Sequence, residues 1–464
     1  MSKHNTGKKR PVAPKKTDTG RRKLLIAGAG GLGVLGLAAA GLNVFKSPPA
    51  RTATVPTPVP PPSTPVPVPS AAVNLPPLKP VTLSAGRANA VRAADEIIEH
   101  YARVLQNPSA VIHAVRGFGR DFKLADGSNA VDWLCAHFAA EKTVNGQKYV
   151  YFPRPAEVHD NSFLKTFLEA GVSPDQPIIA GGNRYTLKQL GEHAKLTFRC
   201  NPNNFAQYDK DLYHEHLPWC LIAFSTLTPP AQPTWANAYG EVINLAEVID
   251  KGVASYEADC AGVREAIASN QSEPERFREV MRKHSCFGMH AIYGFFASLN
   301  NGYRNNNLNE RLNQLLDVTT HRLRGDSAAL DQEFAEAGQK SEADPRTVAQ
   351  LQTIGLTVPG LTEAFRLRAQ IKLIGHAFEA INFTRLHKLF TLTPEQNRRM
   401  LEAEQKLYEY IVKLRATDLE PLRKFQNDSK FVSDIVISLG HAARAMKLLT
   451  PDNPDTVAMN VKRK

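Results

Sequence analysis

The sequence predicts a mainly α-helical fold, a helical array with small β-hairpin inserts in the first third of its domain. Three observations lead there. Apolar residues recur at helical spacing through most of residues 83–464. Strand signals are few and fall within 120–185. Thirteen prolines between positions 48 and 80 divide this region from a basic and then apolar N-terminus.

The N-terminus accounts for the charge. The 464-residue chain carries a net charge of +12. Residues 1–23 hold nine Lys/Arg and one acid, Asp18. Residues 24–82 add only Lys46, Arg51 and Lys79, so residues 83–464 hold 45 basic and 44 acidic side chains. Nucleic-acid binding needs a concentrated basic surface. A near-neutral domain lacks one, and no nucleic-acid partner is expected.

Residues 24–45 carry no charge, and about 20 apolar residues suffice to cross a bilayer as a helix. The positive-inside rule places residues 1–23 in the cytoplasm and the chain after Lys46 outside. The membrane is therefore a partner through this segment. Gly20-Arg21-Arg22-Lys23-Leu24-Leu25 resembles the twin-arginine motif of bacterial export signals, with Gly20 where Ser or Thr is usual. The resemblance covers the first 45 or so residues and implies export, with Arg21 and Arg22 as the signal. Ala38-Ala39-Ala40 supplies an A-x-A cleavage site. The segment fits both a cleaved signal and a permanent anchor. Gly28-Ala29-Gly30-Gly31-Leu32-Gly33 mimics a dinucleotide fingerprint, but no acid occurs between Asp18 and Asp95 to hold a ribose, and a proline stalk follows.

Proline fixes φ and removes the backbone donor, so residues 46–82 can form neither helix nor sheet. As polyproline II, the 33 residues from 48 to 80 reach about 100 Å. Basic tail, single span and proline stalk together resemble the layout of TonB-type envelope-spanning proteins. The domain organisation expected is a cytoplasmic tail (1–23), a transmembrane or signal segment (24–45), a stalk (46–82) and an exported helical domain (83–464). The domain is expected to subdivide near 230 and 340.

Within the domain, helical patterns run over 88–105, 234–269, 275–300, 305–323, 361–390, 394–416 and 426–449. Asp160-Asn161-Ser162 reads as the cap of an apolar run ending at Gly171. Thr186–Gln189 and Ser272–Glu275 read as capping boxes. Val144-Asn145-Gly146-Gln147 predicts a hairpin, and residues 178–185 a second.

A loose motif recurs: histidine, then small or Leu, then a mostly apolar, a variable and a small residue. It begins at His113, His216, His290, His376 and His441. Two copies extend further, as His216-x2-Trp219 and His290-x2-Tyr293 with Ala223 and Ala297 at i+7. Apolar helices with a polar end resemble the inner layer of an α/α toroid, whose helix ends surround a cavity that these histidines would line.

Candidate chemistry follows from these copies. His216-x3-Cys220 and Cys286-x3-His290 each place a ligand pair one helical turn apart. Facing each other, the four would make a Cys2His2 site suited to zinc. No other cofactor is expected. Residues 209–219 form the densest ionisable and aromatic cluster, and His214, Glu215, His216, His290 and Tyr293 are the catalytic candidates. The same cluster also reads as a solvated helix start with acids at its N-terminus. The five cysteines leave at least one unpaired, and Cys135 and Cys220 read as buried apolar residues. Two functions are consistent with all this. One is a cell-envelope protein whose helical domain binds or scaffolds an envelope protein or polysaccharide. The other is an exported enzyme with a His/Tyr/acid or metal pocket.

Overall fold

A computed structural model describes residues 76–450 except 104–106, 155, 270, 272–274 and 427. The export motif, the apolar segment, most of the stalk and the capping box at Ser272 lie outside the described residues. No helix among the described residues is long and apolar enough to cross a membrane.

The domain is mainly helical. It begins with α1 (Arg87–Ala102), α2 (Pro108–Phe118) and α3 (Ala130–His137), then the hairpin β1 (Ala140–Val144) and β2 (Gln147–Tyr151). Next come α4 (Ser162–Glu169), the hairpin β3 (Pro177–Ala180) and β4 (Asn183–Thr186), and α5 (Leu187–Thr197). A π-helical turn at Leu212–His216 leads into α6 (Leu217–Leu227). A third hairpin, β5 (Thr234–Ala236) and β6 (Val242–Asn244), precedes α7 (Leu245–Asp259), α8 (Ala261–Ser269) and α9 (Glu275–Met281). The remainder is helical: α10 (Met289–Asn300), α11 (Leu308–Glu342), α12 (Pro345–Thr353), α13 (Val358–Leu386), α14 (Pro394–Ala416), α15 (Glu420–Phe425) and α16 (Asp428–Lys447).

Local chemistry accounts for most boundaries. Asn145 and Gly146 both take positive φ, the two-residue turn that matches strand twist. The Thr186–Gln189 capping box forms as expected, and Thr393 with Gln396 makes another at the start of α14. Pro108, Pro345, Pro359 and Pro394 sit in first turns, where the missing N–H costs nothing.

Four expectations need correction. Residues 234–244 form a hairpin rather than the start of a helix. The helical pattern over 275–300 is interrupted at Ser285–Gly288, where Cys286 and Phe287 are left-handed. The expected cap of α4 is replaced: Asn161 is left-handed and makes no side-chain cap, while the Glu157 carboxylate accepts the Ser162 N–H at 2.6 Å. The extended stretch from Pro76 already belongs to the domain, because Arg415 donates to the Lys79 carbonyl and Val81 N–H to the Arg415 carbonyl.

The core is organised about α13. From Leu367 to Thr384 every residue of it except Lys372 is buried, so the helix is enclosed on all faces. α10, α11, α14 and α16 pack on it, and α2 packs on α16. The ring of paired helices that a toroid requires is not seen among the described residues. Glycines set the spacing. A Cβ on Gly440 of α16 would stand 2.6 Å from the His113 carbonyl oxygen of α2. One on Gly375 would stand 3.0 Å from the Cβ of Ala442, and one on Gly294 would stand 2.9 Å from the Pro218 carbonyl oxygen of α6. In each case the neighbour is backbone or a short side chain that cannot swing away.

Gly440→Ala should therefore destabilise the domain by about 1–3 kcal/mol through overpacking. Gly86→Ala, whose Cβ meets nothing within 4 Å, should leave the urea midpoint unchanged. Equal midpoints for the two variants would refute the close-packing account.

Candidate functional site

Four helices, α13 among them, each deliver one histidine to a common cavity of about 330 Å³. His113 comes from α2, His290 from α10, His376 from α13 and His441 from α16. The His376 and His441 rings stack with centroids 3.7 Å apart. His290 lies 4.8 Å from His376 and 5.0 Å from His441, and His113 lies 5.1 Å from His441. Trp219 stands 4.3 Å from His290 and stacks on His159 at 3.8 Å. Cys286 also lines the cavity.

Hydrogen bonds fix the orientation of three rings. His113 Nδ1 meets the Ser109 carbonyl at 2.6 Å, and His376 Nδ1 meets the Lys372 carbonyl at 2.6 Å. His441 Nδ1 meets the Glu379 carboxylate at 2.7 Å. A carbonyl or carboxylate only accepts, so Nδ1 carries the proton in each. In the neutral ring Nε2 is then a bare lone pair. Burial holds the rings neutral: the pKa of His113 falls to about 4, and those of His290, His376 and His441 fall well below 6.5.

One helical turn below the histidines lies a buried ion network. Arg116 pairs with Glu169 and Glu379, each at 2.5 Å. Arg444 reaches Glu379 at 2.9 Å and Glu169 at 3.7 Å. Lys165 lies 3.5 Å from Glu169, and Tyr293 donates its hydroxyl to Glu169. Arg116, Lys165 and Arg444 surround the Tyr293 ring at 5.1–5.8 Å. Burial raises the Glu169 pKa, but Arg116, Lys165 and Arg444 outweigh it and hold it at about 2. The same contest keeps Glu379 ionised, with Arg116 and Arg444 prevailing. Burial, helped by Arg116, pulls the Lys165 pKa down to about 7.

The chain matches no protein family, no curated protein and no solved structure. The site must be read from its own chemistry.

The sequence-derived candidates divide among three places. His290 and Tyr293 belong to the pocket and its floor. His216 does not join the other four histidines; its Nδ1 accepts the Asp160 N–H at 3.2 Å. Glu215 accepts from the Ser285 hydroxyl and lies 3.8 Å from His159. His214 packs against His284, which bonds Asp259. The π-helical turn at 212–216 points these three consecutive side chains apart.

The expected Cys2His2 set is not assembled. Cys220 takes a hydrogen bond from Asn161, and His216 turns toward Asp160, because α6 and α10 meet through Gly294 and the Pro218 backbone. Cys286 and His290 are brought together with His376 instead. All five cysteines are free thiols, and Cys135 and Cys220 are buried as expected.

Of the network only Tyr293 was among the sequence-derived candidates; Arg116, Lys165, Glu169, Glu379 and Arg444 were not, though a signal for three of them existed. Arg116, Tyr293, Glu379 and Arg444 each occupy the variable fourth place of the histidine motif. That i+3 position shares a helix face with the histidine.

Glu379→Gln leaves two buried guanidinium groups short of a counter-charge. It should cost about 3–5 kcal/mol by urea unfolding. Glu395→Gln, in an exposed cluster, should leave the midpoint in place. A Glu379→Gln midpoint equal to that of the parent would refute the network's structural role.

Proposed function

We propose that the chain is a cell-envelope enzyme: a helical domain on a proline-rich stalk, outside the membrane, that performs acid–base chemistry on a small ligand in the histidine pocket. The observation that carries the chemistry is the His441–Glu379 pair. A carboxylate 2.7 Å from Nδ1 orients the ring, fixes its tautomer and leaves Nε2 as the base. Such a base contributes typically 10²–10⁴-fold to a rate. Tyr293, locked to Glu169 under three cations, serves as floor and donor rather than base.

The binding-or-scaffold reading shares this address. Enzymatic use is favoured because five histidines, His159 with the four already named, and a thiol line one cavity, which exceeds what docking requires. The cavity volume, at the small end of the ligand-pocket range, suits a small molecule better than a polysaccharide chain. The address itself rests on the basic tail, the uncharged 22-residue segment and the proline tract.

A reporter active only outside the cytoplasm, fused after residue 82, should be active, and Arg21→Lys combined with Arg22→Lys should reduce its export. A silent reporter with the fusion retained in the cytoplasm would refute the topology. For the chemistry, the purified chain should turn over at least one member of a set of small chromogenic esters, phosphoesters and amides. His441→Asn should lower that rate at least about 100-fold while its circular dichroism spectrum stays that of the parent. Inertness toward the whole set, or full activity in His441→Asn, would sink the enzyme reading.

A further inference from the structure

We propose that Cys286, His290 and His376 form a metal site for zinc, with three protein ligands and an open position facing the cavity. One ligand atom from each of these residues lies within 4.8 Å of the others. A tetrahedral zinc ion with nitrogen and sulfur ligands holds them about 3.5 Å apart. The set needs only a modest inward movement to close on an ion.

Two independent features point to an ion rather than to chance proximity. The first is His376. Its Nδ1–H is tied to the Lys372 carbonyl at 2.6 Å, while its Nε2 is buried and has no hydrogen-bond partner. A buried polar atom left unpaired costs about 1–3 kcal/mol. A lone pair held by a second hydrogen bond on the far side of the ring is the usual arrangement of a metal-bound histidine. The second is the turn that carries Cys286. Cys286 and Phe287 are consecutive non-glycine residues at φ 52° and 59°, followed by Gly288 at φ 76°. Left-handed backbone at a residue with a Cβ costs about 1–2 kcal/mol. Such strain concentrates where a side chain must be aimed. Here it takes Cys286 out of the helix that follows and sets its sulfur beside His290 and His376.

The donor set selects the ion class. One thiolate and two imidazoles favour a borderline metal over magnesium or calcium, which take oxygen ligands. Three ligands and a free position form the catalytic type of zinc site, in which water fills the fourth place. This deepens the acid–base reading and rests on it, because His441 stacks on His376 and lines the same cavity. With an ion bound, the open position would hold an activated water for attack on an acyl or phosphoryl centre, and His441, oriented by Glu379, would take that water's proton and return it to the departing group.

The test is cobalt substitution of the full-length chain, solubilised and stripped with a chelator. Cobalt(II) should bind with saturation at one per chain and give a thiolate-to-metal charge-transfer band that zinc abolishes. Cys286→Ser should lose the band, His376→Ala should weaken binding at least tenfold, and Cys220→Ser should change neither. No band in the unsubstituted chain, or a band retained in Cys286→Ser, would overturn the site. The unsubstituted spectrum decides the matter even if a variant misfolds. Turnover by the stripped chain would overturn the ion's part in the reaction and keep the His441 base. A bound metal with no turnover would keep the site and remove the enzyme reading.

Discussion

Two arginines and a histidine converge on the buried carboxylate of Glu379, in the middle of a helix enclosed on every side. An ionised carboxylate there costs several kcal/mol unless it is paired. Pairing requires α16 to lie against α13, and α2 against α16 with Arg116 in reach of Glu379. Once they do, His113, His376 and His441, each one turn above its network residue, must meet. The pocket is thus a geometric consequence of neutralising one charge. Glu169 repeats the arrangement with Arg116, Lys165 and Tyr293, and so draws α4 and α10 into the same assembly.

Charge pairing alone would not bring the histidine rings to 4–5 Å. Helices with ordinary side chains pack 8–10 Å apart. Gly375 and Gly440, each immediately before a site histidine, let α2, α13 and α16 approach until Cβ atoms and carbonyls touch. The glycines and the ions act on the same contacts in different ways. The former permit close approach, and the latter make it favourable.

Much of the fold was legible because its signals are local. Helical periodicity, the Asn145-Gly146 turn and the Thr186 capping box depend on neighbouring residues, and all three formed. The third hairpin and the break at Ser285–Gly288 were not legible. The first has an alternation too short to outweigh the helical pattern that follows. The second is strained, and local preference argues against it. Four of the five motif histidines met, but the sequence could not say which pairs would face. His216 and Cys220 have the same helical spacing as Cys286 and His290. What separates them is the glycine-mediated contact of α6 with α10 and the left-handed turn, neither of which periodicity encodes. Tyr293 was legible as an aromatic one turn after a histidine, whereas Arg116, Glu379 and Arg444 differ in charge and size at the same motif position, which therefore looks variable.

The proposed address and the proposed site bear on one another through the thiols. No disulfide holds the domain, so its cohesion comes from burial and the ion network. Four of the cysteines are buried, where oxidants do not reach. Cys286 is the partly exposed one and faces the cavity. Outside the membrane, an open thiol is the first target for oxidation. A zinc ion ligated by Cys286 removes that liability, because a coordinated sulfur has its lone pair engaged. An exported protein that keeps an accessible cysteine in its pocket thus has a physical reason to hold a metal on it.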